Sequence, residues 1–224
     1  GASAKRLRQY VEQGGMLVSE GCPGYFGDRG KAGEKQPNHG LDEMFGAVEA
    51  EVEFMPDLTG ELRFRFGEAR VRGRLHRQVY RPAGGTAVGW YEDGTVAAVE
   101  HRFGKGRTRL VGTFPGAGYF RHPEEVGREF FGGILAWAGR TPHLRSSNAR
   151  LIARLHTGPG GTYLWVLNPT RAAQSGVVLL SERWGPFQRG TLVWGDHAPQ
   201  VEGRRVEVQV GERNAAVVRL GVVR

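Results

Sequence analysis

Tyr10-Val11-Glu12-Gln13-Gly14-Gly15-Met16-Leu17-Val18-Ser19-Glu20-Gly21-Cys22-Pro23-Gly24-Tyr25-Phe26 is the stretch on which the reading of the fold turns. Leu7, Tyr10 and Val11 fall at i, i+3 and i+4, which predicts one apolar stripe on a helix. Gly14-Gly15 supplies a residue that can enter the left-handed region and end it. Met16-Leu17-Val18 is a short apolar run without polar alternation, the pattern of a strand covered on both faces, so it reads as a central parallel strand of an α/β sheet. Such strands present functional residues just past their C-terminal ends. Glu20, Cys22 and the glycines around them therefore occupy the crest where a site is expected.

Downstream, residues 27–40 are polar, rich in glycine and without a period, and read as a long surface loop. Leu41, Met44 and Phe45 predict a short helix ended by Gly46. Val48, Ala50, Val52 and Phe54 then alternate with Glu49, Glu51 and Glu53, the period of a half-exposed strand. Leu62, Phe64 and Phe66 alternate with Arg63 and Arg65, and Val71, Leu75 and Val79 continue among Arg70, Arg72, Arg74 and Arg77. An acidic strand facing a basic one across an antiparallel pair is the expected arrangement. Asp93-Gly94 and Gly104-Lys105-Gly106 mark two hairpin turns of a meander. Phe114 to Phe120 reads as a loop. A helix then follows with Pro123 at its first position, Glu124 and Glu125 in its first turn, and Val126, Phe130, Ile134 and Trp137 as its apolar stripe. Gly132-Gly133 in its middle implies close packing against a neighbouring backbone.

The pattern changes after Pro142. Ser146-Ser147-Asn148 reads as a linker, and beyond it short runs recur at 151–156, 162–167, 177–180, 190–194, 206–210 and 215–220 with turn signals between them. That spacing predicts a small antiparallel sandwich. The expected division is an α/β domain over 1–147 and a β-sandwich over 148–224.

Composition narrows the function classes. With 39% hydrophobic and 24% charged residues the chain is an ordinary globular one, and no apolar run approaches the ~20 residues of a membrane span, so no membrane partner is expected. The single cysteine rules out an internal disulfide and a cysteine-based zinc site, and the cytoplasm is the default location. The net charge of +8 comes mostly from arginine and reads as a solvated basic surface rather than a nucleic-acid site. The chain begins Gly1-Ala2-Ser3 with its first methionine at Met16, which reads as part of a longer polypeptide.

Five groups of residues together resemble a known family. They are Tyr10 to Val18, Gly24 to Gly30 (Gly-Tyr-Phe-Gly-Asp-Arg-Gly) and Gly40 to Gly46, followed by Phe103-Gly104-Lys105-Gly106-Arg107 and Gly112-Thr113-Phe114-Pro115. In order and spacing this set resembles the middle, trimerisation domain of the family 42 β-galactosidases, over about residues 5 to 140. The resemblance implies an amidotransferase-like (flavodoxin-like) α/β domain followed by a short β-sandwich. It implies a homotrimer, and a catalytic TIM barrel on the N-terminal side as the chain's own packing partner. The chain would then be a non-catalytic C-terminal region of a glycoside hydrolase.

A retaining glycosidase needs two carboxyl groups ~5 Å apart presented from barrel strands, and nothing here supplies that pattern, so no catalytic residue is expected. The rival is Cys22 as an amidotransferase-like nucleophile activated by a histidine. Against it, Pro23 removes an N–H that an oxyanion hole would use, and no His-x-Glu pair follows, so a structural thiol is expected. His39, His76, His101, His122, His143, His156 and His197 are scattered without paired metal spacing, so neither metal nor cofactor is expected. Trp165, Trp184 and Trp194, with Tyr163 and Phe187, are candidates for stacking on sugar rings if they share a face; core packing is the alternative.

Overall fold

A computed structural model describes residues 1–27, 29–55, 62–121 and 127–222. Contacts divide the chain into two units, Gly1–Gly139 and Arg140–Arg224. The first runs α1 (Ala2–Glu12), β1 (Met16–Glu20), α2 (Leu41–Phe45), β2 (Ala47–Phe54), β3 (Leu62–Phe66), β4 (Ala69–Gly73), β5 (His76–Pro82), β6 (Thr86–Tyr91), β7 (Val96–Phe103), β8 (Gly106–Val111), α3 (Pro115–Arg121) and α4 (Gly127–Trp137).

Helix α1 ends where the paired glycines require it, with Gln13 still helical and Gly14 at φ 112°. Its buried face is Ala4 and Val11, while Leu7 and Tyr10 stay exposed. The strand that follows is not central. In the six-stranded sheet, ordered β1-β8-β7-β6-β3-β4, β1 is an edge strand of half-buried residues whose parallel neighbour is β8. The other pairs of this sheet are antiparallel. The unit is therefore mostly β and sandwich-like, not the amidotransferase-like (flavodoxin-like) α/β domain that Met16-Leu17-Val18 suggested. The reason lies in the connections. β3 to β4, β6 to β7 and β7 to β8 are joined by tight turns, and a parallel crossover takes a dozen or more residues.

The acidic strand does face a basic one, though not the next in sequence. β2 forms a separate two-stranded sheet with β5, setting Glu53 opposite Arg77 and Val48 opposite Arg81. β3 pairs with β4, so Arg63 faces Arg72 and Arg65 faces Arg70. Leu75, expected on an inward face, is exposed at φ 77° in the link before β5.

Residues 115–121, expected as loop, form α3. Its glycines lower helix propensity in the sequence but are required by packing: a Cβ at Gly118 would overlap the Arg72 backbone. Helix α4 buries Phe130, which meets Phe64 and Phe66 edge-on at 6.2 and 5.3 Å between ring centroids. Pro123, Glu124, Glu125 and Val126 lie outside the described residues. Gly132 and Gly133 face open space rather than a packed backbone, so the close approach expected of them does not occur within the described residues.

The second unit runs β9 (Leu144–Ser146), β10 (Ile152–Gly158), β11 (Gly161–Asn168), β12 (Gln174–Leu180), β13 (Arg189–Trp194), β14 (Gln200–Glu202), β15 (Arg205–Val210) and β16 (Asn214–Gly221). Two four-stranded antiparallel sheets, β10-β11-β16-β13 and β14-β15-β12-β9, enclose a core that includes Leu164, Val166, Val178, Val206 and Val218. The unit starts before residue 147 because Leu144–Ser146 pairs with β12. Asn148, expected in a linker, is tied down by donating to Gln174 Oε1 at 3.0 Å and the Ser175 carbonyl at 2.9 Å.

Since Gly132 and Gly133 are helical, exposed and uncrowded, alanine there should stabilise the chain. Gly133→Ala is expected to raise the unfolding free energy by about 0.5–1 kcal/mol, read as a higher urea midpoint at unchanged slope. A lower midpoint would mean that this helix face is packed.

Candidate functional site

The crest beyond β1 is cramped. Gly21 donates its N–H to the Val111 carbonyl at 2.8 Å, and a Cβ on Gly21 would overlap the His76 ring. Cys22 follows at φ 45°, a left-handed conformation that a residue with a side chain seldom takes. This turn brings Cys22 Sγ to 3.2 Å from His76 Nε2. His76 is buried, edge-on to Phe114 at 4.7 Å between ring centroids and 5.9 Å from the Phe54 ring. The structure thus supplies a histidine beside Cys22 that sequence reasoning did not find. Arg74-Leu75-His76 carries no local signal for it, because the partner arrives on β5 from far along the chain.

Beneath the pair lies Gln78, only 2% exposed. Its Oε1 accepts the Cys22 N–H at 2.6 Å and the Tyr80 hydroxyl at 2.9 Å, and its Nε2 donates to Glu49. Its backbone N–H donates to Gly112 O at 2.6 Å, and Tyr91 donates to both the Gln78 and Gly112 carbonyls. Glu20, at the end of β1, accepts the Gly116 N–H at 2.9 Å. Burial raises its carboxyl above the usual range, and that hydrogen bond partly offsets the rise.

The chemistry of the pair follows from its surroundings. Burial, with the neighbouring Glu49 charge, pushes the Cys22 thiol up to about 11, and burial pulls the His76 imidazole down. Both groups are neutral at pH 7, whereas a nucleophilic pair needs a thiolate beside an imidazolium. The Cys22 N–H is already held by Gln78, and Pro23 has none, so this turn offers no oxyanion donor from either residue. The arrangement fits a packed thiol under a loop.

The other candidate residues disperse. His101 Nδ1 lies 3.1 Å from the Met44 carbonyl, His143 accepts from the Trp184 indole at 3.2 Å, and His122 lies outside the described residues. Among the described residues no three His, Cys, Asp or Glu side chains are grouped to hold a metal ion. Trp165 and Trp194 stand on one sheet face of the second unit. Trp184 is elsewhere, half-buried against that unit's core.

Residues 1–139 match the family model of the β-galactosidase trimerisation domain. The chain belongs to this family. Solved structures resemble the chain in fold over nearly its whole length. A catalytic mutant of the G. stearothermophilus β-galactosidase Gan42B matches 98% of this chain at 18% identity and TM-score 0.74. The β-galactosidase of Bacillus circulans sp. alkalophilus matches 97% at 14% identity and TM-score 0.75. The α-L-fucosidase isoenzyme 2 of Paenibacillus thiaminolyticus matches 99% at 13% identity and TM-score 0.62. The chain spans 30%, 31% and 39% of those proteins, respectively. No curated protein matches the sequence. Nothing in these matches supports an amidotransferase-like assignment, in line with the neutral Cys22–His76 pair.

A thiol held at about 11 is ionised in about one molecule in a thousand at pH 8. Alkylation of Cys22 by iodoacetamide should therefore run roughly a hundredfold below a model thiol at pH 8 and rise about tenfold per pH unit towards pH 11. A rate that levels off near pH 7 would mark an activated thiolate.

Proposed function

We propose that this chain is the non-catalytic assembly part of a β-galactosidase-like glycoside hydrolase. Its first unit makes contacts among three subunits, and the chain packs on a catalytic (β/α)₈ barrel carried elsewhere in the same polypeptide. The observation that carries this reading is the trimerisation-domain match over residues 1–139, joined to structural likeness over nearly the whole chain. About 30% of the length of the matched β-galactosidases is spanned here, which leaves ample length for a barrel. The acids at the crest are already committed, Glu20 to Gly116 and Glu49 to Gln78, in keeping with a scaffolding role. A cytoplasmic location belongs to the same proposal. The lone cysteine needs no disulfide partner, and among the described residues no helix is long and apolar enough to cross a membrane.

Subunits related by a threefold axis meet through unlike patches, so one exposed surface must complement another on the same chain. The candidate patches are the 27–40 loop with Phe26 at its base, and the arginine-rich strands over 70–81. Phe26 is exposed despite its size, and aromatic residues are enriched at interface centres. The loop is anchored at its end by Gln36, whose side-chain amide donates to the Tyr25 carbonyl at 2.9 Å, and whose backbone carbonyl accepts the Glu49 N–H at 2.7 Å. Neither Tyr25 nor Glu49 lies in residues 29–35, so these two bonds do not depend on the tip.

The full-length protein is expected to sediment as a trimer and to hydrolyse a chromogenic β-galactoside, while this 224-residue chain shows no turnover. Replacing residues 29–35 with a short Gly-Ser bridge, together with Phe26→Asp, should shift the trimer to monomer with the barrel still folded. An unchanged trimer would remove this loop from the interface; a monomeric full-length enzyme would sink the assembly reading.

A further inference from the structure

Among the described residues, one face of the sheet β10-β11-β16-β13 has no covering layer within the second unit. Leu164, Val166, Ala216 and Val218 point into the core, so their neighbours Trp165, Ala215 and Val217 point outward. Strand β13 would ordinarily send Leu192 inward, Val193 outward and Trp194 inward. Instead the register slips by one residue between Leu192 and Trp194, so that Leu192 opposes Val218 and Trp194 opposes Val217. This β-bulge turns Trp194 out of the core and onto the same face as Trp165, leaving it 64% exposed against 40% for Trp165. Bulges that re-aim a side chain in this way recur beside functional sites.

The result is an open groove of about 500 Å³ lined by His156, Tyr163, Trp165, Val193, Trp194 and Val217, with Ala215 continuing the floor. Trp165 and Trp194 both register with Val217 from its two sides. With strands ~4.8 Å apart, their backbones stand about 10 Å from each other with Val217 between them, a span one pyranose ring can bridge. The volume lies in the range of small-ligand sites. Polar groups ring the apolar floor. The His156 imidazole leans on Trp165 at 5.8 Å between centroids, and the Tyr163 hydroxyl, which donates to the Gly160 carbonyl at 3.2 Å, keeps lone pairs to accept. Arg154 stands directly across from Trp165, and Arg219 across from Tyr163.

We propose that this groove binds a pyranoside, its C–H face stacked on Trp194 and Trp165 and its hydroxyls turned to His156, Tyr163 and the flanking arginines. A pyranose ring has the required form, a slab with C–H faces and a hydroxylated edge, which a purely aliphatic ligand lacks. The choice of a galactoside among pyranosides rests on the β-galactosidase reading of the parent; the groove itself does not.

The test is titration of the 224-residue chain with β-1,4-galactobiose, and separately with cellobiose, followed by tryptophan fluorescence and calorimetry. Saturable binding of galactobiose at millimolar concentration is expected, weakened roughly tenfold or more by Trp194→Ala and by Trp165→Ala. Trp184→Phe should leave it unchanged, and circular dichroism should show all variants folded. Equal binding of cellobiose would uphold the groove as a pyranoside site and remove the link to galactosides. Absence of binding to either sugar would overturn the proposal. So would a concentration-dependent rise in mass that Trp194→Ala abolishes, because the face would then be a contact between copies. None of these outcomes depends on whether the full-length protein is a trimer.

Discussion

A neutral amide shut away from water must satisfy its hydrogen bonds inside the protein, and Gln78 carries that constraint for the first unit. Leaving such a donor or acceptor unpaired costs about 1–3 kcal/mol each, more than a typical hydrogen bond adds. Gln78 therefore fixes the position of everything that satisfies it: the Cys22 turn beyond β1, Glu49 on β2, Tyr80 on its own strand, and Gly112 just past β8. These segments belong to two different sheets, β1 and β8 to the six-stranded one and β2 and β5 to the pair. One residue, through its side chain and its backbone, thus ties together sheets that share no ladder. The left-handed backbone at Cys22 is held in the same way, because its N–H has no better acceptor than Gln78 Oε1.

A second buried polar cluster does comparable work for α4. Arg109 is buried, and Glu100 Oε1 accepts from its Nε at 2.9 Å and from its Nη2 at 2.6 Å. The remaining Glu100 oxygen accepts the Trp137 indole at 3.0 Å, while the Arg109 guanidinium lies 4.7 Å from the Trp137 ring centroid and 4.5 Å from that of Phe66. Arg107 closes the end of the helix by donating to the Trp137 carbonyl at 2.6 Å. Desolvating an ion pair is expensive unless its remaining hydrogen-bond capacity is filled, and here aromatic faces and an indole fill it. The helix is consequently tied at Trp137 and packed at Phe130, and Gly132-Gly133 between them lies on its open side.

What could be read from sequence was local, and what could not was pairing. The alternation of Val48 to Phe54 does form one strand, and Asp93-Gly94 does close a hairpin, with Gly94 at φ 83° and Asp93 Oδ1 accepting the Thr95 N–H at 2.9 Å. Each follows from residues within a few positions of one another. The three-residue run Met16-Leu17-Val18 is equally apolar at a sheet's edge or centre, so its place depended on connections it does not contain. Glu53 found Arg77 rather than β3 because β2 joined β5. Among the candidate residues, Cys22 was legible as a crest residue from the strand-and-glycine pattern, but His76 was not. Trp165 and Trp194 were legible as aromatics in strands, but their common face depends on a bulge that leaves no mark in Thr191-Leu192-Val193-Trp194.

These two regions illustrate opposite uses of a departure from regular backbone. At Cys22 the strained turn is surrounded: its thiol, amide and neighbouring imidazole are all committed to protein partners, and burial keeps thiol and imidazole neutral. Strain there is tied to the fold through the Cys22 N–H bond to Gln78. At Trp194 the bulge carries a large aromatic ring out of a core that already contains Leu192, Val201 and Val218, where a second large ring would have to displace close-packed neighbours. Keeping regular register would have turned Val193 outward alone. The irregularity instead leaves Val193 and Trp194 together on a face already bearing Trp165, so the strand forgoes burial of about 150–250 Å² of aromatic surface that a core position would have provided. Core exclusion explains why Trp194 leaves the interior; it does not explain why a tryptophan occupies a position that shares a face with Trp165 on the far side of Val217. Binding of a ring across that face accounts for both.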